Sequence, residues 1–364
     1  MRPMRALAIA TLGVVVALAA GCASEQAMFR SGPSHSGVFE AGAVSSPDTP
    51  VWTRDLGQKS YSSPIPGVGR VFFGTNAGTL YALDRDDGKV QWQAQANGNI
   101  EAPAAVSGNG VIFGSWDGTV RAVDADSGKT LWTYETDGRV YSAPTVAGDR
   151  VYVGSADSHV YALDRATGKV VWKFRTGDRV YSSPAVVNGR VYFGSLDGNV
   201  YAVDADTGEE IWRFGTKKPV FAAPAVDENV VAIGSYDRTM YLLDAKTGSE
   251  LWRFRTGNRI YGSAALTPDS VVFGSTDGYV YSIARETGLK RWDFRTGGKV
   301  YSSPAVTPDA VYIGGTDGTV YALDRTSGEK RWTFDASGPV YASPAFADGV
   351  LYFSTVNGTV YALN

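Results

Sequence analysis

The stretch VYSSPAVVNGRVYFGSLDGNVYAVDADTGEEIWRF, residues 180–214, decides the fold because the rest of the chain repeats it. Its tryptophan belongs to a series with a constant spacing of 40 residues, and among the nine tryptophans only Trp116 lies outside that series. The members are Trp52, Trp92, Trp132, Trp172, Trp212, Trp252, Trp292 and Trp332. A fixed period of this length is typical of solenoids and propellers.

Within this unit, short runs rich in Val, Tyr and Phe are separated by turn residues, and this pattern predicts four β-strands. We place strand A at residues 181–187, strand B at 191–195, strand C at 200–204 and strand D at 210–214. The pairs Asn188-Gly189 and Asp197-Gly198 predict tight A–B and B–C hairpins in which both residues adopt positive φ. Strand C, VYAV, is apolar on both faces, so both faces require cover, which a blade packed between two other blades provides.

Counting the parts of the repeat predicts the number of blades. The opening of strand A occurs eight times, at Tyr61, Glu101, Tyr141, Tyr181, Phe221, Tyr261, Tyr301 and Tyr341. The glycine four residues before the tryptophan occurs only seven times, from Gly88 to Gly328. The strand around Trp52 therefore lacks a strand C before it, and residues 341–364 lack a strand D after them. We predict an all-β, eight-bladed propeller of four-stranded antiparallel blades over residues 51–364, closed by the N-terminal strand completing the last blade.

The residues that recur in every blade are interpreted as structural. The large tryptophans on strand D and the small Ser, Ala and Pro of strand A suit a wedge-shaped blade, and the aspartates that follow strand C suit its turn. The departures from the repeat are interpreted mostly as neutral drift. They are Glu101 in place of an aromatic residue, Arg121 in place of Tyr, Ala284 in place of Asp, and Gly262 with Ala264 in place of Ser and Pro.

The first 21 residues have two arginines, an apolar core and small residues, which is the layout of a secretory signal peptide. Cys22, the only cysteine, follows Leu18, Ala19, Ala20 and Gly21 and resembles the acylated cysteine of a bacterial lipobox. The alternative is an ordinary signal peptide cut near Ala20, which leaves a free thiol. Residues 22–50 are then the lipidated cysteine with a tether or lead-in, and two or more acyl chains provide a stable membrane anchor.

Composition excludes several classes of function. A formal net charge of -3 and a pI near 5.5 indicate no nucleic-acid partner. His35 and His159 are the only histidines, so no zinc site of Cys and His ligands is predicted, and no phosphate-binding glycine motif is present. We therefore predict no catalytic, cofactor or metal residues.

The repeat itself, as in YALDRATGKVVWKF at residues 161–174, has Ala, Asp, Thr-Gly and Trp at fixed offsets. In these residues it resembles the repeats of the pyrroloquinoline-quinone-type propeller family, and MFRSGPSHSGVF at residues 28–39 resembles the lead-in that precedes many such propellers. The resemblance covers essentially the whole mature chain. It implies one of several roles, since the family includes quinoprotein dehydrogenases, outer-membrane assembly lipoproteins, and sensor or scaffold domains.

With the lipobox, the layout resembles the lipoprotein subunit of the outer-membrane β-barrel assembly machine. That resemblance implies a non-catalytic scaffold on the periplasmic face of the outer membrane, bound as a monomer to an envelope partner such as the barrel-assembly protein. The first alternative is a quinone-dependent dehydrogenase-like protein. Its pyrroloquinoline quinone, a tricarboxylate, sits over the channel in such enzymes, many of which also carry an adjacent-cysteine disulfide that this chain cannot form. The second is a small-ligand-sensing propeller on the surface of a cell without an outer membrane.

The connections of a four-stranded meander place candidate partner-binding residues on one face of the ring. The D–A and B–C connections share that face, where basic residues precede strand A at Lys59, Arg139, Arg179, Lys218, Arg259 and Lys299. Aspartates of the B–C turns are expected to pair with part of this basic ring, at Asp117, Asp157, Asp197, Asp237, Asp277 and Asp317.

The position before each of these aspartates varies most, and three blades carry a large residue there. Aromatic and Arg residues are enriched in interface hot spots. We therefore predict a docking patch formed by Trp116, Leu196 and Tyr236 with Arg139, Arg179, Lys217 and Lys218. A second candidate is the outer edge strand, where such charges more often prevent edge-to-edge pairing. Its basic residues are Lys173, Arg175, Arg213, Arg253, Arg255 and Arg295.

Overall fold

The computed structural model describes residues 26–42, 44–45 and 49–364. The predicted signal peptide and Cys22 lie outside these residues. The described chain forms eight antiparallel sheets arranged as the blades of one ring, which confirms the predicted eight-bladed propeller. No helix in the described part of the chain is long and apolar enough to cross a membrane.

The strands are numbered along the chain, and each blade runs from an inner strand A to an outer strand D. The lead-in carries β1 (Gln26–Ala27), and β2 (Trp52–Asp55) precedes the first blade. Blades 1 to 4 contain β3 (Ile65–Gly67), β4 (Arg70–Gly74), β5 (Thr79–Asp84), β6 (Val90–Gln95); β7 (Ala105–Ser107), β8 (Gly110–Gly114), β9 (Thr119–Asp124), β10 (Thr130–Glu135); β11 (Thr145–Ala147), β12 (Arg150–Gly154), β13 (His159–Asp164), β14 (Val170–Arg175); β15 (Ala185–Val187), β16 (Arg190–Gly194), β17 (Asn199–Asp204) and β18 (Glu210–Gly215).

Blades 5 to 8 follow the same order. They contain β19 (Ala225–Val226), β20 (Val230–Gly234), β21 (Thr239–Asp244), β22 (Glu250–Arg255); β23 (Ala265–Leu266), β24 (Ser270–Gly274), β25 (Tyr279–Ala284), β26 (Lys290–Arg295); β27 (Ala305–Val306), β28 (Ala310–Gly314), β29 (Thr319–Asp324), β30 (Lys330–Asp335); β31 (Ala345–Ala347), β32 (Val350–Ser354) and β33 (Thr359–Leu363).

The last blade is completed by the N-terminal strand, as predicted. Its strand order is β2-β33-β32-β31, and Trp52 lies opposite Ala362 in an antiparallel register. In the middle of the A strands, the hydroxyl of Ser63 accepts a hydrogen bond from the Ser343 amide at 2.8 Å, so blades 8 and 1 are also joined near the axis. Backbone pairing of two distant chain segments therefore closes the ring.

Strand A is shorter than predicted. In blade 4 only residues 185–187 pair with strand B, and residues 181–184 run along the axis without ladder bonds. A side chain replaces the missing backbone bonds, because the Ser182 hydroxyl accepts the amide of Gly194 at 3.0 Å and donates to the carbonyl of Ala222 at 2.9 Å. Pro184 has no N–H to offer a ladder.

The two predicted hairpins differ in conformation. At the A–B turn, Asn188 and Gly189 both have positive φ, +50° and +72°, as predicted. At the B–C turn only Gly198 does, so the prediction for Asp197 was wrong. Asp197 instead uses its carboxylate to accept the amide of Asn199 at 2.8 Å, which fits a longer loop with a single left-handed residue.

Each tryptophan on strand D interlocks with the next blade. The Trp172 indole N–H donates to the carbonyl of Ala205 at 2.9 Å, and its ring packs on Gly208, where a Cβ atom would lie 2.7 Å from the ring. Seven of the tryptophans in the series bond a carbonyl 33 residues further along. This confirms that the tryptophans are scaffold residues.

The lead-in plugs the lower face of the ring, which carries the A–B and C–D connections. Inner-strand amides of four successive blades donate to its backbone carbonyls at 2.7 to 2.9 Å. These pairs are Val186 to Pro33, Val226 to Ser34, Leu266 to Ser36 and Val306 to Gly37. Further on, Val44 supplies the carbonyl that the eighth tryptophan, Trp332, bonds at 2.9 Å, because no ninth turn exists.

The candidate axial cavity and upper face

An axial cavity of about 350 Å³ lies between the plug and the upper face, which carries the D–A and B–C connections. Its lining comes from the unpaired first halves of the A strands, where side chains of all eight blades converge. This volume lies within the range of small-molecule sites, about 300 to 1,000 Å³. Sequence reasoning missed the cavity because its walls come from residues 40 positions apart.

A belt of seven aromatic rings surrounds the upper end of the cavity. Neighbouring rings lie 4.8 to 5.5 Å apart between centroids, so the belt is continuous except at one blade. Its members are Tyr61, Tyr141, Tyr181, Phe221, Tyr261, Tyr301 and Tyr341. Across the channel, the hydroxyls of Tyr141 and Tyr261 lie 3.3 Å apart, which narrows the entrance. Burial raises the pKa of both phenols, so both are protonated donors at neutral pH.

Glu101 fills the eighth place of this belt and is the only charged residue that lines the cavity. The side chain is 8% exposed, and its carboxylate accepts a hydrogen bond from Asn99 at 3.1 Å. Burial raises the pKa of this carboxyl, while hydrogen bonds from Asn99, Tyr141 and Asn76 oppose the rise. Among the described residues no cation forms an ion pair with it. Such a position is not explained by neutral drift alone.

Below the aromatic belt, small residues allow the blades to approach the axis. The hydroxyl of one serine accepts the amide of the equivalent residue in the blade before it, at 2.8 to 3.1 Å. The accepting residues are Ser183, Ser263, Ser303, Ser343 and Ser63. These bonds fix the cavity wall, which makes it a rigid container.

The floor of the cavity is Phe29, held by two buried polar residues of the lead-in. Its ring contacts His35 at 5.6 Å, and His35 bonds the hydroxyl of Thr145 at 3.0 Å. The Arg30 guanidinium donates to the carbonyls of Ala264, Pro304 and His35. Burial lowers the pKa of Arg30 to about 9 and, with the Arg30 charge, that of His35 to about 3. The imidazole is therefore neutral at physiological pH.

The basic residues of the upper face are exposed but do not pair with the neighbouring aspartates as expected. Asp197 accepts from the amide of Gly177 at 2.8 Å and the hydroxyl of Tyr201 at 2.7 Å instead. The same tyrosine bond recurs in four other blades. Only blade 2 differs, because Arg121 replaces the tyrosine and pairs with Asp117 at 2.9 Å. The carboxylates are engaged by their own blades, so the basic ring remains unpaired within the described residues.

The predicted docking residues lie on the upper face, but they are half-buried rather than projecting. Arg139 lies over the ring of Trp116 at 4.9 Å, and the equivalent Arg259 lies over Tyr236 at 5.1 Å. Tyr236 also stacks on Phe221 at 4.4 Å. The sequence had grouped Tyr236 with Lys217 and Lys218, whereas the structure places Arg259 over its ring.

The remaining predicted residues occupy the same face without such contacts. Leu196 is half-buried, and its amide donates to the carbonyl of Arg179 at 2.9 Å. Lys217 and Lys218 are exposed. On the outer edge strand, Arg213 and Arg253 pair with Glu210 and Glu250 of their own strands, so part of that charge is engaged.

The cavity lining does not fit pyrroloquinoline quinone. This cofactor carries three carboxylates, whereas the single charged group in the lining is the carboxylate of Glu101. Two like charges at this separation from solvent repel strongly. In the described part of the chain no cluster of three or more His, Cys, Asp or Glu side chains is arranged to hold a metal ion.

Comparisons with known proteins connect this geometry to two groups of propellers. A family model described as outer membrane protein assembly factor BamB matches residues 276–364, and one described as the β-propeller of the beta-alanine-activating enzyme matches residues 67–232. No curated protein matches the chain in sequence.

Among solved structures, BamB from Moraxella catarrhalis is 21% identical, with a TM-score of 0.76, over 86% of this chain and 98% of that chain. The computationally designed protein Ika8 is 21% identical, with a TM-score of 0.78, over 86% and 99% of the two chains. Quinohemoprotein alcohol dehydrogenase from Comamonas testosteroni is 14% identical, with a TM-score of 0.80, over 92% and 79%. At these identities the solved structures establish the fold alone.

Proposed function

We propose that this chain, a β-propeller of pyrroloquinoline-quinone-type repeats that resembles BamB, is a non-catalytic protein-binding scaffold of the bacterial envelope. Its role would be in outer-membrane protein assembly. The observation that carries the proposal is the match of residues 276–364 to the assembly-factor model, supported by a fold shared over 98% of the BamB chain. Membrane anchoring through a lipidated Cys22, on the periplasmic face of the outer membrane, is part of this proposal.

The surface that fits a protein partner best is the upper face of blades 2 to 5. There Trp116 and Tyr236 present ring edges while Arg139 and Arg259 lie over their faces, so aromatic and guanidinium groups are held in place before a partner arrives. Pre-ordered side chains lose less conformational entropy on binding, and such residues supply most interface energy. The partner would be the soluble part of the barrel-assembly protein.

Site-specific photocrosslinking in cells tests this face. A photoreactive residue at Leu196, on the upper face of blade 4, is expected to capture the barrel-assembly protein. The matched control is Asp206, an exposed residue of the C–D turn on the lower face of the same blade. Capture from Asp206 equal to that from Leu196, or no capture of this partner from either, would contradict the proposal.

The quinone-dependent dehydrogenase and the ligand-sensing propeller remain the alternative functions. The shared fold with quinohemoprotein alcohol dehydrogenase supports the first, but the Glu101 carboxylate in the lining opposes a tricarboxylate cofactor. The scaffold proposal is therefore the one that agrees with both the family match and the charge of the cavity.

A further inference from the structure

We propose that the axial cavity binds a small primary organic ammonium compound, with its charged end at Glu101 and its apolar body among the aromatic rings. The inference goes beyond the scaffold function and does not depend on it. It starts from the composition of the wall, in which seven aromatic rings and one carboxylate face the same space.

The carboxylate is the first step of the argument. Glu101 is 92% buried in the folded chain, as its 8% exposure shows, and its partners are neutral amide and hydroxyl groups. A buried charge without a countercharge is unfavourable, because the interior solvates it less well than water does. A bound cation would supply the missing countercharge. This position differs from its seven counterparts, so the carboxylate is a specific feature of blade 2.

A second observation comes from the neighbouring amide. The side chain of Asn76 hydrogen-bonds Glu101, and its own Oδ1 atom is buried without a hydrogen-bond partner among the described residues. Buried acceptors are almost always satisfied by a protein group, a water molecule or a ligand. A primary ammonium group carries three N–H donors, so it can bond both the Glu101 carboxylate and this carbonyl oxygen.

The aromatic belt favours the same class of ligand. The faces of tyrosine and phenylalanine rings attract cations, by about 0.5 to 2 kcal/mol where water is excluded. The rings also bury the apolar body of a ligand, and the plug beneath, with Phe29 as its floor, closes the cavity on the lower side. A ligand must therefore enter past the contact between Tyr141 and Tyr261.

The basic residues of the rim do not reverse this preference. Arg139 and Arg259 lie over aromatic rings of the B–C turns, and the other basic side chains are exposed to solvent. Exposed charges are screened within about 8 Å at physiological ionic strength. Six aspartates lie on the same face. The buried carboxylate therefore determines the sign of charge that the cavity accepts.

Isothermal titration calorimetry with three probes of one shape tests the inference at neutral pH. The probes are phenethylammonium, neutral 2-phenylethanol and anionic 3-phenylpropanoate. We expect saturable binding of the cation and at least about tenfold weaker binding of the other two, as an interaction with the carboxylate and rings predicts. Equal binding of the alcohol, stronger binding of the anion, or no saturable binding of the cation would overturn the proposal.

Two substitutions of the same chemistry locate the site. Glu101→Gln keeps the shape of the side chain and is expected to weaken phenethylammonium binding about tenfold. Glu286→Gln makes the same change of charge at an exposed C–D turn, and binding is expected to stay as in the unsubstituted protein. Circular dichroism confirms that both variants are folded. Unchanged affinity in Glu101→Gln would overturn the assignment of the site, and this result is independent of the crosslinking test of the scaffold.

Discussion

Glu101 shows how a single residue can define a site that a repeat conceals. The sequence marks it as a departure from the aromatic series, but only the fold places its carboxylate inside a wall of tyrosine rings. Its distance from Tyr141 and Tyr261 along the chain is 40 and 160 residues, yet its charge acts on both phenols. Departures that look neutral in one unit therefore need to be judged at the axis, where all units meet.

The raised pKa of Glu101 predicts how stability depends on pH. Burial favours the protonated form in the folded chain, so its stabilising effect is fully present below the ordinary pKa of 4.5 and is lost as pH rises through the folded pKa. Glu101→Gln lacks this loss. We expect the free energy of unfolding of the variant, relative to the unsubstituted protein, to increase between pH 4 and pH 7.5. Urea unfolding at both pH values measures it, and a difference that stays constant with pH would show that the carboxyl is not desolvated.

At the scale of the element, the C–D turn is defined as much by its neighbour as by its own sequence. Asp204 caps the turn by accepting the amide of Thr207 at 2.9 Å, and these bonds lower its pKa, as the turn interpretation predicted. The glycine of the same turn was used only for counting blades. The structure adds that Gly208 has a φ of +74° and lies under Trp172 of the blade before it.

A pair of glycine substitutions separates these two constraints. Gly208→Ala introduces a Cβ atom 2.7 Å from the Trp172 ring, whereas Gly189→Ala, at a φ of +72°, meets no atom within 4 Å. We expect the Gly189 variant to lose about 1 to 2 kcal/mol of unfolding free energy from the left-handed conformation. The Gly208 variant should lose about 1 to 3 kcal/mol more from overpacking. Denaturant unfolding of both variants measures the difference, and equal losses would mean that the tryptophan contact imposes no constraint.

At the scale of the whole molecule, two N-terminal segments complete a ring that the repeats alone leave open. The strand β2 supplies the fourth strand of blade 8, and Val44 supplies the turn carbonyl for the last tryptophan. The rest of the lead-in covers the inner strand edges from blade 3 to blade 7. A segment that resembles a flexible tether in composition is therefore ordered where unpaired amides of the ring can bond it.

Removal of the last strand tests the closure. Deletion of residues 359–364 removes β33, the only strand bonded to β2, together with the buried side chains of Val360, Tyr361 and Leu363. Each such side chain contributes about 1.5 to 3 kcal/mol, which together approaches the total stability of many domains. We expect a loss of cooperative thermal unfolding and of amide protection in β2 by hydrogen exchange. Deletion of the exposed Asn364 alone is the control and should change neither. Retained protection of β2 in the longer truncation would contradict closure by this strand.

The sequence by itself determined the blade number, the strand order and the closure of this protein. These features follow from contacts within one repeat or between adjacent repeats, such as Asn188 with Gly189 or the tryptophan every 40 residues, and such contacts leave a periodic signal. The sequence also indicated the face on which Trp116 and Arg139 lie, because a meander fixes which connections share a face.

Only the tertiary structure decided what the interior can bind and where the exposed charges go. The cavity, its single carboxylate and its plug arise where eight blades converge on one axis, and no local pattern records which residues meet there. The aspartates of the upper face were expected to pair with basic neighbours, but amides and tyrosine hydroxyls of the same blade lie closer and engage them first. The physical reason is that convergence at an axis and competition among hydrogen-bond partners depend on distances in space, whereas the repeat specifies only distances along the chain.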